Sequence, residues 1–230
     1  MILRLPRFDS HLHQAACEGL LIGIEGNPKI SGLISNNEAF EIRKKNTFLA
    51  WYVRKEEIQE IIVKNEILKF HPRREGYTPE EVVVCIEINQ PRLVIFDTLN
   101  YPYWEPSDYF KIARKFPKTI FLLAHAGGIQ INSFVPEIIL SNVYFDFSAT
   151  MVIFEVFRNK KGRDSDFLTS AIRILVSNPN SRKRLLFGSD APMYSRENTF
   201  RAYRKFGIRK QELDANFLRF IDEIGLQARL

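Results

Sequence analysis

The chain has 230 residues, a length that suits one large domain or two small ones. It is 45% hydrophobic and 26% charged, which supplies a packed core and excludes wholesale disorder. The formal charge of +6 is dispersed, with Lys and Arg scattered among Asp and Glu; the nearest approaches to basic runs are "RKK" (43–45), "RNKKGR" (158–163) and "RKR" (182–184), so nucleic-acid binding is not expected.

Taken in chain order, the opening "MILRLPRFDS" is too short and too charged for a signal peptide. It leads into a first predicted strand, "ILRLPRFDSHLH" (2–13). The second is predicted at "KISGLIS" (29–35), with "LLIGIEG" (20–26) competing for its place. "TFLAWYV" (47–53) follows, and then "KEEIQEIIVKN" (55–65), which reads as a helix because Ile58, Ile61 and Ile62 fall on one face. Next come the strand "ILKFH" (67–71) and the segment "TPEEVVVCIEIN", with Thr78 as N-cap, Pro79 at the first helical position and acids in the first turn. The strand "RLVIFDT" (92–98) precedes "EPSDYFKIARKF", which repeats that helix-start logic. "TIFLLAH" (119–125), "VYFDFS" (143–148) and "RLLFGSD" (184–190) complete a set of eight predicted strands. Cys17 and Cys85 have no metal or disulfide spacing and read as reduced thiols of a cytoplasmic protein. No apolar run approaches the roughly 20 residues a membrane span needs. Strands alternating with helices imply a parallel sheet with right-handed crossovers. Eight such units predict an α/β fold, a compact (β/α)₈ TIM-like barrel, as a single domain over 1–230.

The polar residues fall in a pattern. His11 and His13 end the first predicted strand, Lys69 and His71 the fourth, Asp97 the fifth, His125 the sixth and Asp190 the eighth. All four histidines therefore sit at C-terminal strand ends, the pole where such barrels build their sites. Alternation along a strand also puts Asp9 on the face of His11 and His13. Each residue alone has a plainer reading: a satisfied polar side chain, a turn Asp, or in Lys69 the partner of a nearby acid. The joint arrangement of an HxH pair, a strand-end His followed by "AGG" and a strand-end Asp points instead to a metal site. Imidazole with carboxylate suits one divalent ion, Zn²⁺ first, with Mn²⁺, Fe²⁺, Ni²⁺ or Co²⁺ compatible.

The stretches "FDSHLH", "LKFHPRREGYTPEE", "KFPKTIFLLAHAGG" and "RLLFGSDAP" resemble the amidohydrolase superfamily, in the branch that contains aminocarboxymuconate-semialdehyde decarboxylase and many TIM-barrel metal-dependent hydrolases. The resemblance runs from about residue 6 to 205. It implies that His11, His13 and Asp190 hold the metal, that His125 activates or orients water, and that Lys69 and His71 line the substrate side. It implies a histidine at the end of the fifth strand, where this chain has Asp97. Asp97 is then expected to face the metal as a substitute ligand. Catalysis falls to His125 and Asp190 as proton acceptors, with Arg73, Arg74 and the loop "NYPYWEP" (100–106) placed to hold a carboxylated or aromatic small molecule. The expected activity is metal-dependent hydrolysis of an amide, lactone or related carbonyl, or nonoxidative decarboxylation on the same site. Two alternatives remain: a degenerate barrel that binds without catalysis, favoured by Asp97, and a PHP- or TatD-like phosphoesterase, for which four histidines are too few. The oligomeric state is open, and a homodimer is compatible with the sequence.

Overall fold

Apolar strands shielded on both faces and helices with polar starts assemble into a (β/α)₈ barrel. The structure is a computed structural model that describes residues 4–13, 18–22, 34–42, 47–62, 66–99, 104–159 and 164–226. The strands are β1 (Phe8–Leu12), β2 (Glu18–Ile22), β3 (Thr47–Tyr52), β4 (Ile67–Phe70), β5 (Leu93–Asp97), β6 (Ile120–Ala124), β7 (Tyr144–Asp146) and β8 (Leu185–Leu186). They are hydrogen-bonded in sequence order, every pair parallel. The segment after β8 closes the ring onto β1: Ser10 N–H donates to Phe187 O, Asp190 N–H to His11 O and His13 N–H to Ala191 O, at 2.7, 2.9 and 2.7 Å.

The helices are α1 (Asn36–Ile42), α2 (Pro72–Glu75), α3 (Pro79–Asn89), α4 (Pro106–Lys115), α5 (Ile131–Leu140), α6 (Ser148–Asn159), α7 (Asp164–Ser177), α8 (Pro179–Arg182), α9 (Arg196–Lys205) and α10 (Lys210–Ile224). α3 starts as its sequence dictates. Thr78 Oγ1 accepts from Glu81 N–H, and Glu81 returns a bond to Thr78 N–H at 2.7 Å.

Two apolar layers follow from strand alternation. Leu68, Phe70, Val94, Phe96, Phe121 and Leu123 pack with residues of the surrounding helices. Ile67, Leu93, Ile95, Leu122 and Ala124 belong to a second cluster whose helical members come from α10. Lys69 and Asp97 continue this second register, two residues beyond Ile67 and Ile95. The layering therefore delivers polar side chains to the C-terminal pole.

Three expectations need correction. The second strand is Glu18–Ile22, paired with β1 and β3; Ile34 and Ser35 are not strand, and 29–33 lie outside the described residues. The connection from β1 is short, with only five residues between Leu12 and Glu18. Residues 55–62 do not form the expected α-helix, and 63–65 lie outside the described residues. A short 3₁₀ turn covers Lys55–Glu57, and the Asn89 side chain then takes over the backbone, accepting from Ile62 N–H and donating to Glu60 O. Ile58 is buried while Ile61 is 71% exposed, so the isoleucines do not share one packed face. Finally, Asp9 does not act with the histidines. The β1–β2 register shifts between Asp9 and Leu12, which sets three steps of β1 against two of β2 and re-aims the side chains beyond it.

Gly19 makes this register feasible. Its φ is +145°, and a Cβ there would lie 1.9 Å from the Asp9 carbonyl oxygen. Gly19→Ala is expected to destabilise the protein by about 3 kcal/mol or more, through steric overlap and backbone strain together. Chemical denaturation would measure the loss; a value under about 1 kcal/mol would disprove this β1–β2 packing.

Candidate active site

Asp9 anchors the site without facing it. Its Oδ1 accepts from His11 N–H at 3.1 Å and Ser189 N–H at 3.0 Å, and its Oδ2 accepts from Arg196 Nε at 3.0 Å. Burial pushes its pKa up to about 6, against the opposing pull of Arg196 and these donors. The carboxylate thus ties β1, the segment after β8 and α9 at one point.

His11, His13 and Asp190 converge above this anchor. Asp190 Oδ1 lies 3.3 Å from His11 Nε2 and 3.2 Å from His13 Nε2. The nearest partner of His13 Nδ1 is the Ile22 carbonyl at 2.9 Å, so Nδ1 carries the proton and donates it. Its Nε2 is aimed at the Asp190 carboxylate. His11 is neutral, because burial holds its pKa well below the ordinary histidine value. The ligand atoms of these three residues all fall within 4.8 Å of one another, and so do those of His11, His125 and Asp146. The donor set therefore fits a divalent metal ion.

The second half of the cluster surrounds Asp97. Its Oδ2 is 3.2 Å from His125 Nε2, 3.3 Å from His71 Nε2 and 3.9 Å from Lys69 Nζ. Burial opposes ionisation of Asp97, but His71, His125 and Lys69 together hold its pKa well below the usual carboxylate range. Asp97 therefore lies among these three cations and imidazoles; neither close ligand group includes it. Burial lowers the pKa of Lys69, whose Nζ has no hydrogen-bond partner. Arg73 is exposed at the rim, close enough to His71 and Tyr194 to perturb both electrostatically. Of the "NYPYWEP" loop, residues 100–103 lie outside the described residues, and Trp104 is buried with Nε1 donating to Tyr77 O.

His125 sits in a turn that the "HAGG" sequence permits. His125, Ala126, Gly127 and Gly128 all have positive φ, and Gly127 N–H donates to Thr98 Oγ1 at 2.7 Å. His125 Nε2 is directed at Asp97 Oδ2 at 3.2 Å, and its Nδ1 lies 3.2 Å from Ala149 N. Burial disfavours a second proton, yet Asp97, Asp190 and Asp146 outweigh it and raise the pKa.

Sequence reasoning missed Asp146 and Ser148. Asp146 is fully buried at the end of β7 and accepts from His125 N–H (3.0 Å), Ser148 N–H (3.0 Å), Ser148 Oγ (2.6 Å) and Ser10 Oγ (3.2 Å). Ser148 Oγ lies 2.6 Å from His125 Nδ1 as well. A Cβ on Gly188 would reach to within 2.6 Å of the Asp146 carboxyl carbon, so only glycine leaves that carboxylate room. The available signal was "FDFS": an acid at the end of the seventh strand, the position already singled out in the fifth and eighth.

The amidohydrolase family model matches residues 67–219, most of the chain. The chain belongs to the amidohydrolase family. Similar solved structures include an uncharacterised TIM-barrel protein of Bordetella bronchiseptica, 16% identical, with a TM-score of 0.60 over 90% of this chain and 78% of that one. A zinc-bound amidohydrolase of Burkholderia multivorans is 11% identical, with a TM-score of 0.57 over 91% of this chain and 84% of that one. A 5-carboxyvanillate decarboxylase of Novosphingobium aromaticivorans, complexed with manganese and a nitrobenzoic acid, is 11% identical, with a TM-score of 0.52 over 91% and 76%. These identities establish a shared barrel. A search of curated proteins finds no match. Among the described residues of this amidohydrolase-family chain, no helix is long and apolar enough to cross a membrane.

His71 tests the electrostatics of the cluster. Burial, the largest influence, lowers its pKa to about 4 despite the attraction of Asp97. A depressed histidine pKa stabilises the fold above the unfolded value near 6.5, and that contribution is lost as pH falls towards 4. NMR titration of the metal-free protein should therefore show His71 neutral down to about pH 5; a midpoint at or above 6.5 would contradict the geometry.

Proposed function

We propose that this chain is a metal-dependent amidohydrolase-type enzyme that binds one divalent ion, Zn²⁺ or Mn²⁺ by preference, through His11, His13 and Asp190. The observation that carries the reading is the convergence of two buried imidazole nitrogens on one carboxylate oxygen at 3.2–3.3 Å, with the ligand atoms of all three residues within 4.8 Å of one another. The zinc and manganese bound in the two structural neighbours support it. Such an ion supplies Lewis-acid polarisation of a carbonyl or carboxylate oxygen and acidifies bound water.

The residues of the chain divide the remaining work. His125, whose protonated form Asp97 favours, carries the proton beside the reacting atoms, with Asp97 as its counter-charge and Asp190 as a further acceptor. Asp146 and Ser148 fix the orientation of the His125 ring from behind. His71, neutral at working pH, and Lys69 line the substrate side, and Arg73 at the rim supplies a fork for a substrate carboxylate. Asp97 stands where the family resemblance calls for a ligating histidine; we assign it first to the proton pair, with metal ligation as its alternative role.

Hydrolysis of an amide or lactone and nonoxidative decarboxylation of a carboxylated aromatic use the same arrangement. The decarboxylase among the neighbours and the cationic rim favour a carboxylated ring as substrate.

Metal analysis separates these roles. His11→Ala and Asp190→Asn should each lose most bound metal, whereas His125→Asn should keep it and lose turnover on a panel of amides, lactones and carboxylated aromatics. Purification of the parent without metal, together with no metal uptake on titration, would reject the enzyme reading and leave a binding protein.

Asp97→Ala distinguishes the two roles of that residue. As a proton-pair partner it should weaken metal binding by at most tenfold while abolishing turnover. A loss of 100-fold or more in metal affinity would make Asp97 a ligand.

A further inference from the structure

A cavity of about 1130 Å³ opens at the opposite pole of the barrel. Ile120 at the start of β6, Tyr144 at the start of β7 and Arg184 just before β8 line it, so it lies at the N-terminal ends of strands whose C-terminal ends carry the proposed metal centre. Its charge is lopsided. Arg114, Lys183, Arg184 and Arg219 face a single lining acid, Glu223, which is itself hydrogen-bonded with Tyr144. Arg114 is paired with Glu137, but among the described residues no carboxylate lies within ion-pair distance of Lys183, Arg184 or Arg219.

The donor count makes the imbalance specific. A guanidinium has five N–H groups and an ammonium three. Arg184 spends three, on the carbonyls of Asn180, Val143 and Ile138 at 2.9–3.1 Å, and is thereby fixed in place. Arg219 spends one, on Lys183 O at 3.1 Å, and Lys183 Nζ has no partner among the described residues. A rigid arginine, a partly free arginine and a free lysine thus border a cavity whose lining holds one carboxylate, that of Glu223. Apolar lining completes it, from Phe110, Phe121 and Ile139 to Leu140, whose side chain is 84% exposed.

We propose that this cavity is a second ligand site, for a small organic phosphate with an apolar or aromatic body. Fork donors that are not neutralised by carboxylates match a dianionic tetrahedral group better than a single carboxylate. The volume exceeds what a free phosphate needs and suits an organic ligand of ordinary size. The proposal is independent of the metal reading, because none of the lining residues belongs to that cluster.

Calorimetry on the full chain at low salt, with phenyl phosphate and inorganic phosphate as probes, tests it. Phenyl phosphate should bind saturably at one site, at least fivefold tighter than inorganic phosphate, and more weakly in 0.5 M salt. Lys183→Glu combined with Arg219→Glu places the reversals on two exposed side chains and leaves Arg184 in its carbonyl cage. The double variant should keep its melting temperature and metal content while losing at least tenfold in phenyl phosphate affinity. Three results would overturn the proposal: no saturable binding at millimolar phenyl phosphate, undiminished binding in the double variant, or binding to anionic lipid vesicles without binding to phenyl phosphate. The last would identify a membrane-facing patch in place of a small-molecule site.

Discussion

The barrel and its site depend on one buried carboxylate. Asp9 receives two backbone N–H groups and the Arg196 guanidinium, and these come from β1, the segment after β8 and the start of α9. β8 itself is two residues long, so the ring is closed less by strand pairing than by the stretch from Phe187 to Ala191 lying along β1. Asp9 fastens that stretch from inside. Removing the carboxylate would leave Arg196 Nε and two amides without their acceptor, in a place where an unpaired polar group costs about 1–3 kcal/mol each. Barrel closure and the placement of His11 and Asp190 are consequently one event.

The extra residue in β1 extends this economy. A regular strand would send Asp9, His11 and His13 to one face; the shift frees Asp9 to bind the frame while the two histidines meet Asp190. The polar cluster then grows outward in order of burial. His11, His13, Asp146 and Lys69 are nearly inaccessible, His71 is less so, and Arg73 is exposed. The arginine thus stands between solvent and the imidazoles.

Much of this was legible in the sequence because strand alternation and helix caps are local signals. The sixth strand ends where the "TIFLLAH" run predicts, short of His125 by one residue, and Thr78 caps α3 as written. The positions of His11, His13, His125 and Asp190 at one pole followed from the same reasoning. What escaped was non-local. The second strand was misplaced because its pairing with β1 tolerates a connection too short for a helix. The helix expected at 55–65 lost to hydrogen bonds from Asn89, a residue more than twenty positions away. Asp146 was overlooked because its partners, Ser10, His125 and Ser148, come together only when β1, β6 and β7 adjoin.

Among the described residues, four non-glycine positions hold a positive φ, and His125 and Asp190 are two of them. An L-residue in that region carries roughly 1–2 kcal/mol that glycine escapes. At these two positions the backbone alone would be better served by another residue. An imidazole and a carboxylate stand there instead, so the fold carries a backbone cost at two residues of its buried polar cluster.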